Sequence, residues 1–266
     1  MIKILKERQT KTPVKAAIMD FDGTISTLRY GWPKVMLPMC LEFITDGGAA
    51  DDELTREVEE YIDVSTGIQT IHQMIWLVER IKSYGKAKVI NDPWWYKNEY
   101  NRRLMEIVDK RILAIKSGEI NRENYIMKGA VDFLRLLKEK NIPIYIASGT
   151  DTEDVKNEAE VLGVASFITD ILGGRTGELT CAKEIVISNT IERTGLDGEE
   201  IMVIGDGFVE IERGLERGAF TIGIASDEEK LTGINAKKEQ ILTRAGANVI
   251  IGDFLERERL MELAGI

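Results

Sequence analysis

Val14-Lys15-Ala16-Ala17-Ile18-Met19-Asp20-Phe21-Asp22-Gly23-Thr24 is the stretch that decides how this chain is read. A short apolar run bounded by turn residues fits a buried central strand of a parallel sheet. Here the run empties into two carboxylates and a Gly-Thr turn. Strand side chains repeat every second residue, so Asp20 and Asp22 are aimed the same way. Two like charges held that close repel unless a cation or a proton lies between them. A divalent metal together with a phosphate relieves that conflict best.

Further along the chain, apolar runs alternate with helical patterns. Ala130 to Lys140 carries Val131, Leu134 and Leu137 on one stripe, the spacing of an amphipathic helix. Ile142 to Ala147 reads as a buried strand ending in Ser148-Gly149-Thr150. A helix from Thr152 to Leu162 follows, then a strand from Phe167 to Leu172 closed by Gly173-Gly174, and a helix from Cys181 to Thr194. Glu200 to Ile204 is a strand ending in Gly205-Asp206-Gly207, Glu210 to Arg217 a helix, and Phe220 to Ala225 and Asn248 to Ile251 the last strands. Strands alternating with helices predict an α/β fold, a Rossmann-like parallel sheet flanked by helices and joined by right-handed crossovers. In such sheets ligands bind beyond the carboxyl ends of the strands. Asp20 and Asp22, Ser148, and Asp206 all fall on that edge.

Between the first and second of these strands the rhythm is helical throughout. Pro33 suits the first turn of one helix. Asp51 to Val64 carries Leu54, Val58, Tyr61 and Ile62 at helical spacing, with Asp51, Asp52 and Glu53 at its dipole-positive end. Thr70 to Ser83 repeats the pattern, and a long helix runs from about Trp94 to Lys116. The organisation predicted is an α/β core of residues 14–27 and 121–266, with an all-helical cap domain of residues 28–120 inserted after the first strand.

The chain has 266 residues, 44% of them apolar, and a formal charge of −10 from 35 basic and 45 acidic side chains. That charge disfavours nucleic acid, which is bound by neutralising phosphates with basic groups. Two cysteines, Cys40 and Cys181, with no spaced Cys/His cluster, signal neither a disulfide framework nor a zinc site. His72 is the only histidine, which excludes a histidine-pair mechanism. The first thirteen residues are short and charged rather than signal-like, and no apolar run has the length of a membrane span. The expectation is a cytoplasmic monomer or homodimer with no membrane partner.

Asp20-Phe21-Asp22-Gly23-Thr24 resembles the first motif of the haloacid dehalogenase (HAD) superfamily of phosphotransferases. Ile144-Tyr145-Ile146-Ala147-Ser148 is similar to its second, Lys183 to its third, and Val203-Ile204-Gly205-Asp206-Gly207-Phe208-Val209-Glu210 to its fourth. Taken singly, Ser148 could cap the following helix, Lys183 be a solvated lysine and Glu210 an ordinary helix-start acid. The four in order on one sheet edge point elsewhere.

The resemblance implies an aspartyl-phosphate on Asp20, dividing one hard hydrolysis into two easier steps. Asp22 is implied to protonate the leaving oxygen and then to activate water, work that needs a raised proton affinity. It implies Mg²⁺ held by Asp20, the main-chain carbonyl of Asp22, and Asp206, with Glu210 on a metal-bound water. Ser148 and Gly149 would bind the phosphate, and Lys183 would balance its charge. The sequence departs from the family pattern at Glu210, where Asp is frequent, and after Thr24, where Ile25-Ser26-Thr27 replaces an Asp-Ser pair.

A helical insert in this place resembles the C1 cap of the superfamily, as in phosphoglycolate phosphatases and β-phosphoglucomutases. Such a cap closes over the site and excludes water. Its expected contacts are Thr66, Gly67 and Gln69 in the loop Ser65–Thr70, and Arg29 past the hinge, reaching a second anionic or hydroxyl group. The implied function is a Mg²⁺-dependent phosphatase acting on a small phosphorylated metabolite, a sugar phosphate or a phosphoglycolate-like acid. A phosphomutase of the β-phosphoglucomutase type is the alternative. It is placed second because residues 25 to 40 lack the histidine those enzymes carry near the first motif. A dehalogenase or phosphonate hydrolase does without the second aspartate. A module that binds phosphate without turnover is the alternative of another class.

Overall fold

The computed structural model describes residues 1–10, 12–174, 177 and 182–266, the side chains of 182–184 excepted. Among them, seven strands form one sheet: β1 (Ile2–Ile4), β2 (Ala16–Met19), β3 (Ile144–Asp151), β4 (Asp170–Gly174), β5 (Ile201–Gly205), β6 (Phe220–Ile224) and β7 (Val249–Ile251). Their order is β1-β7-β6-β5-β2-β3-β4, parallel throughout except where β1 meets β7. β2 lies between β3 and β5, with Met19 level with Ile146 on one side and Ile204 on the other. All four of its residues are buried, because helices cover both faces.

Ala17, Met19 and Ile204 pack toward α5 (Ala130–Glu139), α6 (Thr152–Leu162) and α10 (Arg257–Ala264), through Phe133, Leu134, Val155, Leu260 and Met261. Ile18 and Val203 face α7 (Ala182–Thr194), while α8 (Phe208–Glu216) and α9 (Ala236–Arg244) join through Ile211 and Leu242. Each fully buried large apolar side chain contributes about 1.5–3 kcal/mol, so alternation along β2 is fixed from both faces.

Four helices lie between β2 and β3: α1 (Pro33–Thr45), α2 (Asp52–Val64), α3 (Thr70–Tyr84) and α4 (Pro93–Lys116). Asp51 caps α2, accepting from the Leu54 N–H at 2.8 Å. The buried stripes Leu54/Val58/Ile62, Met74/Leu77/Val78/Ile81 and Leu104/Val108/Ile112 face one another and continue into the same core as the sheet. Tyr96 is buried edge-on against Phe43. The chain leaves and re-enters the sheet side by side: Thr27 N–H donates to Tyr125 at 2.9 Å, and Met127 N–H to Ile25 at 3.0 Å. Arg111 of α4 ties that crossing down by donating to the carbonyls of Leu28 and Tyr30.

Three features differ from the sequence reading. The first thirteen residues are not merely a charged lead, because Ile2-Lys3-Ile4 adds an antiparallel edge strand. Three alternating residues are too few to register as a periodicity. The strand expected over Phe167–Leu172 begins at Asp170 and runs through Gly173 and Gly174, read as its terminator. A Cβ at Gly173 would stand 2.2 Å from the Thr150 carbonyl oxygen, so the glycine admits the irregular end of β3 rather than ending β4. Helices α9 and α10 occupy stretches where none was predicted.

Candidate active site

The carboxyl ends of β5, β2 and β3 meet at a cavity of about 120 Å³ roofed by α3, α4 and the loop before α3. Asp20 follows β2 directly. Its N–H donates to Ile204 at 2.8 Å, continuing the pairing with β5, and its Oδ1 accepts from the Phe21 N–H at 2.7 Å. Phe21 is wholly buried; it anchors the turn between the two acids from the core side. Gly23 has φ +73°, and a Cβ there would lie 2.2 Å from Asp206 Oδ2. Both the backbone and the space therefore require glycine.

Asp206 stands just after β5, and Glu210 lies in the first turn of α8, where a carboxylate also suits the helix dipole. Glu210 is buried and its Oε1 accepts from the Gly207 N–H at 2.7 Å. One carboxylate oxygen each from Asp20, Asp206 and Glu210 lie within 4.8 Å of one another. Three anionic oxygens so close suit a hard divalent cation such as Mg²⁺, which takes oxygen ligands and retains waters. The donor set therefore fits the metal that the sequence suggests.

The Asp22 carboxylate lies outside that cluster. Its Oδ2 accepts from Thr150 Oγ1 at 2.7 Å, and its Oδ1 is 3.9 Å from Arg29 Nε. Ser148, at the end of β3, is 1% exposed and its Oγ accepts from the Thr150 N–H at 3.1 Å. Ser148 and Gly149 both line the cavity. The Lys183 side chain lies outside the described residues.

On the helical side, Thr66, Gly67, Ile68 and Thr70 line the cavity. Gly67 has φ +94°, and a Cβ there would come 2.9 Å from Gly207 Cα; the loop touches the backbone beside Asp206. Gln69 stands at the edge of this wall. It is buried, its Cα is near Gly149, but it is not among the lining residues. It precedes α3 in an extended conformation, between Ile68 and Thr70, which both line the cavity. His72 is exposed on α3.

Arg29 differs from the expectation. Its side chain lines the cavity, but Nε and Nη2 donate to Glu158 Oε1 at 3.0 and 2.7 Å, and Nη2 to Asp154 Oδ2 at 3.1 Å. Burial opposes its charge, and Glu158, Asp22 and Asp154 more than compensate, so its proton affinity is raised. It is committed to the protein's own acids rather than offered to a second anion. Burial pushes Glu158 up to about 7, against the pull of Arg29.

Several site residues escape sequence reasoning. Lys238 of α9 donates to Asp206 Oδ2 at 2.7 Å and to Glu228 Oε1 at 2.6 Å. Burial disfavours its charge, yet the two carboxylates raise its proton affinity, while burial raises that of Glu228. Thr150 holds Asp22, and Lys97 of α4 reaches Asp151 Oδ1 at 2.7 Å. Only the last carried a signal. Lys97, Asn101 and the apolar Tyr100 and Leu104 share one helical face by spacing, a polar interruption in an otherwise apolar stripe.

A family model described as haloacid dehalogenase-like hydrolase matches residues 14–215. Comparison with curated protein sequences finds none that matches. Among solved structures, a predicted phosphoglycolate phosphatase from Haemophilus somnus 129PT superposes with a TM-score of 0.60 at 15% identity, covering 95% of this chain and 99% of its own. A β-phosphoglucomutase from Clostridium difficile gives 0.61 at 18% identity, over 94% and 97%. A predicted phosphatase from Clostridium acetobutylicum gives 0.60 at 17%, over 94% and 99%. At these identities the likeness is one of fold.

Proposed function

The chain belongs to the haloacid dehalogenase-like hydrolases, and we propose that it is a Mg²⁺-dependent phosphatase of small phosphomonoesters working through an aspartyl-phosphate on Asp20. The observation carrying this reading is the convergence of Asp20, Asp206 and Glu210 within 4.8 Å, in one cavity with Asp22 and Ser148.

In this reading Asp20, Asp206 and Glu210, with the main-chain carbonyl of Asp22, would hold the metal, which would supply positive charge against the substrate phosphate and the attacking carboxylate. Ser148, Gly149 and Lys183 orient the phosphoryl oxygens. An Asp20 carboxylate oxygen bonds to phosphorus as the phosphorus–oxygen bond to the leaving group breaks, and Asp22 gives that oxygen its proton. Water then attacks phosphorus, Asp22 takes the water's proton, and the bond to Asp20 breaks to release inorganic phosphate. Thr150 and Arg29 keep the Asp22 carboxylate on the leaving-group side of the cavity rather than among the metal ligands. The four helices act as the cap, with the Ser65–Thr70 loop limiting water at the reacting phosphorus.

The test is release of phosphate from p-nitrophenyl phosphate with and without Mg²⁺, joined to mass spectrometry of the acid-quenched protein. Turnover that survives chelation, or an Asp20→Asn protein as active as wild type, overturns the reading. Label retained on Asp20 with no release of phosphate to water points instead to transfer onto a second hydroxyl, as in a mutase.

A further inference from the structure

The cavity is far from neutral. Among the described residues six carboxylates line it, against two cations, Arg29 and Lys97. Both cations are already engaged, Arg29 by Glu158 and Asp154 and Lys97 by Asp151. One bound dication and one phosphate dianion cancel each other; Lys238, which grips Asp206 and Glu228 from behind, and the Lys183 of the proposed mechanism each lower the excess by one, so two of the six negative charges stay unbalanced. A leaving group bearing its own carboxylate would enter a field of like charge, which disfavours it.

The wall facing the leaving group has a different chemistry. Lys97, 6% exposed, sets its ammonium 2.7 Å from Asp151 Oδ1, and Asn101 Nδ2 stands 3.5 Å from Asp151 Oδ2. This places donors beside an acceptor along one strip. A hydroxyl is both donor and acceptor and satisfies such a strip, whereas a carboxylate can only accept. Gln73 and Thr70 add neutral polar groups, and Tyr100 adds an aromatic surface for carbon-bound hydrogens.

We propose that Lys97, Asp151 and Asn101 form a leaving-group subsite that selects phosphate esters of uncharged polyols and rejects those whose leaving group carries a carboxylate. This rests on the phosphatase reading above and narrows it: sugar and polyol phosphates are substrates, phosphoglycolate-like acids are not. Asp151 is the residue that keeps Lys97 from serving as an anion receptor.

The experiment compares kcat/KM in two matched pairs, glycerol 3-phosphate against 3-phosphoglycerate and glucitol 6-phosphate against 6-phosphogluconate, with p-nitrophenyl phosphate as reference. Within each pair the skeleton is kept and a neutral terminus becomes a carboxylate. The wild-type protein should favour the neutral member by roughly a hundredfold in at least one pair. Asp151→Asn releases Lys97 and should shrink that ratio about tenfold. Turnover of p-nitrophenyl phosphate with an equal or reversed preference in both pairs overturns the inference alone. So does an unchanged ratio in a folded Asp151→Asn protein. No release of phosphate from any of the five compounds overturns the phosphatase reading beneath it.

Discussion

The two walls of the cavity are built by different physics. On the sheet side Asp20, Ser148 and Asp206 sit at the ends of β2, β3 and β5, three adjacent strands whose register fixes their positions through backbone hydrogen bonds and buried apolar faces. On the helical side Lys97 and the Ser65–Thr70 loop are held by ion pairs and close backbone contact with the first wall. Arg29, on the segment joining the two, is clamped by the acids of α6. The first wall is set by the fold, the second by side chains placed on it. Changes to the sheet wall should therefore remove chemistry, and changes to the helical wall should shift preference and affinity.

The largest effect is expected at Asp20. If Asp20 is the nucleophile of the proposed mechanism, Asp20→Asn should lower turnover by about 10⁴-fold or more, with no phosphoryl adduct by mass spectrometry. Thr66→Ala on the opposite wall should keep turnover within about tenfold, as for one lost neutral hydrogen bond. Comparable losses at both positions would erase the distinction between the walls.

Next comes Lys238, which stands behind the sheet wall. It grips Asp206 Oδ2 while Glu228 offsets its charge, so Asp206 presents a fixed oxygen toward Asp20 and Glu210. Partners that orient a ligand commonly govern affinity for the metal by about 10–100-fold. Lys238→Met should weaken Mn²⁺ binding by that factor, read by electron paramagnetic resonance titration, and Lys238→Arg should restore most of it. Unaltered or tighter binding in Lys238→Met would mean that Lys238 plays no orienting part.

Gly67 tests the join between the walls. Alanine there must adopt φ +94° and meet Gly207 Cα at 2.9 Å, a strain of about 1–3 kcal/mol. The loop can shed part of that strain by withdrawing from Gly207, so Gly67→Ala should raise KM by about tenfold while the thermal midpoint falls by only a few degrees. A lowered midpoint with unchanged KM would make the contact structural instead.

The contrast also explains what the sequence could disclose. Asp20, Asp22, Ser148 and Asp206 were legible because each follows an apolar run, and a parallel sheet brings strand ends together whatever lies between them. The helical insert was legible through stripes such as Leu54/Val58/Ile62. Thr150, Lys238 and Glu228 were not, because their roles arise from a bulged strand end and from a helix far along the chain whose neighbours no local pattern reveals. Arg29 was visible as a charge near the hinge, but its partners Asp154 and Glu158 lie over 120 positions away. A lone arginine reads as a receptor for an anion until its carboxylates are placed.

The smallest effect expected is on stability, and it separates two kinds of ion pair. Glu99 on α4 is held down to about 2, first by its hydrogen bonds from Arg102, against burial, with Arg103 adding to the pull. It contributes stability above the ordinary carboxyl range and loses it as pH falls toward 2. Glu158 behaves oppositely. It is fully buried, Arg29 engages only its Oε1, and among the described residues Oε2 has no hydrogen-bond partner. A proton on Oε2 spares the buried site an unsolvated charge, which is the physical content of its rise from 4.5 to about 7. Between those values the folded chain binds more protons than the unfolded one, so stability from this group is full below about 4.5 and is lost as pH rises through about 7. Urea midpoints should therefore fall between pH 5.5 and pH 8 in the wild type. Glu158→Gln, which cannot ionise, should flatten that fall. An equally steep fall in the variant would show that Arg29 holds Glu158 ionised throughout, and that the helix-to-sheet clamp is a full salt bridge.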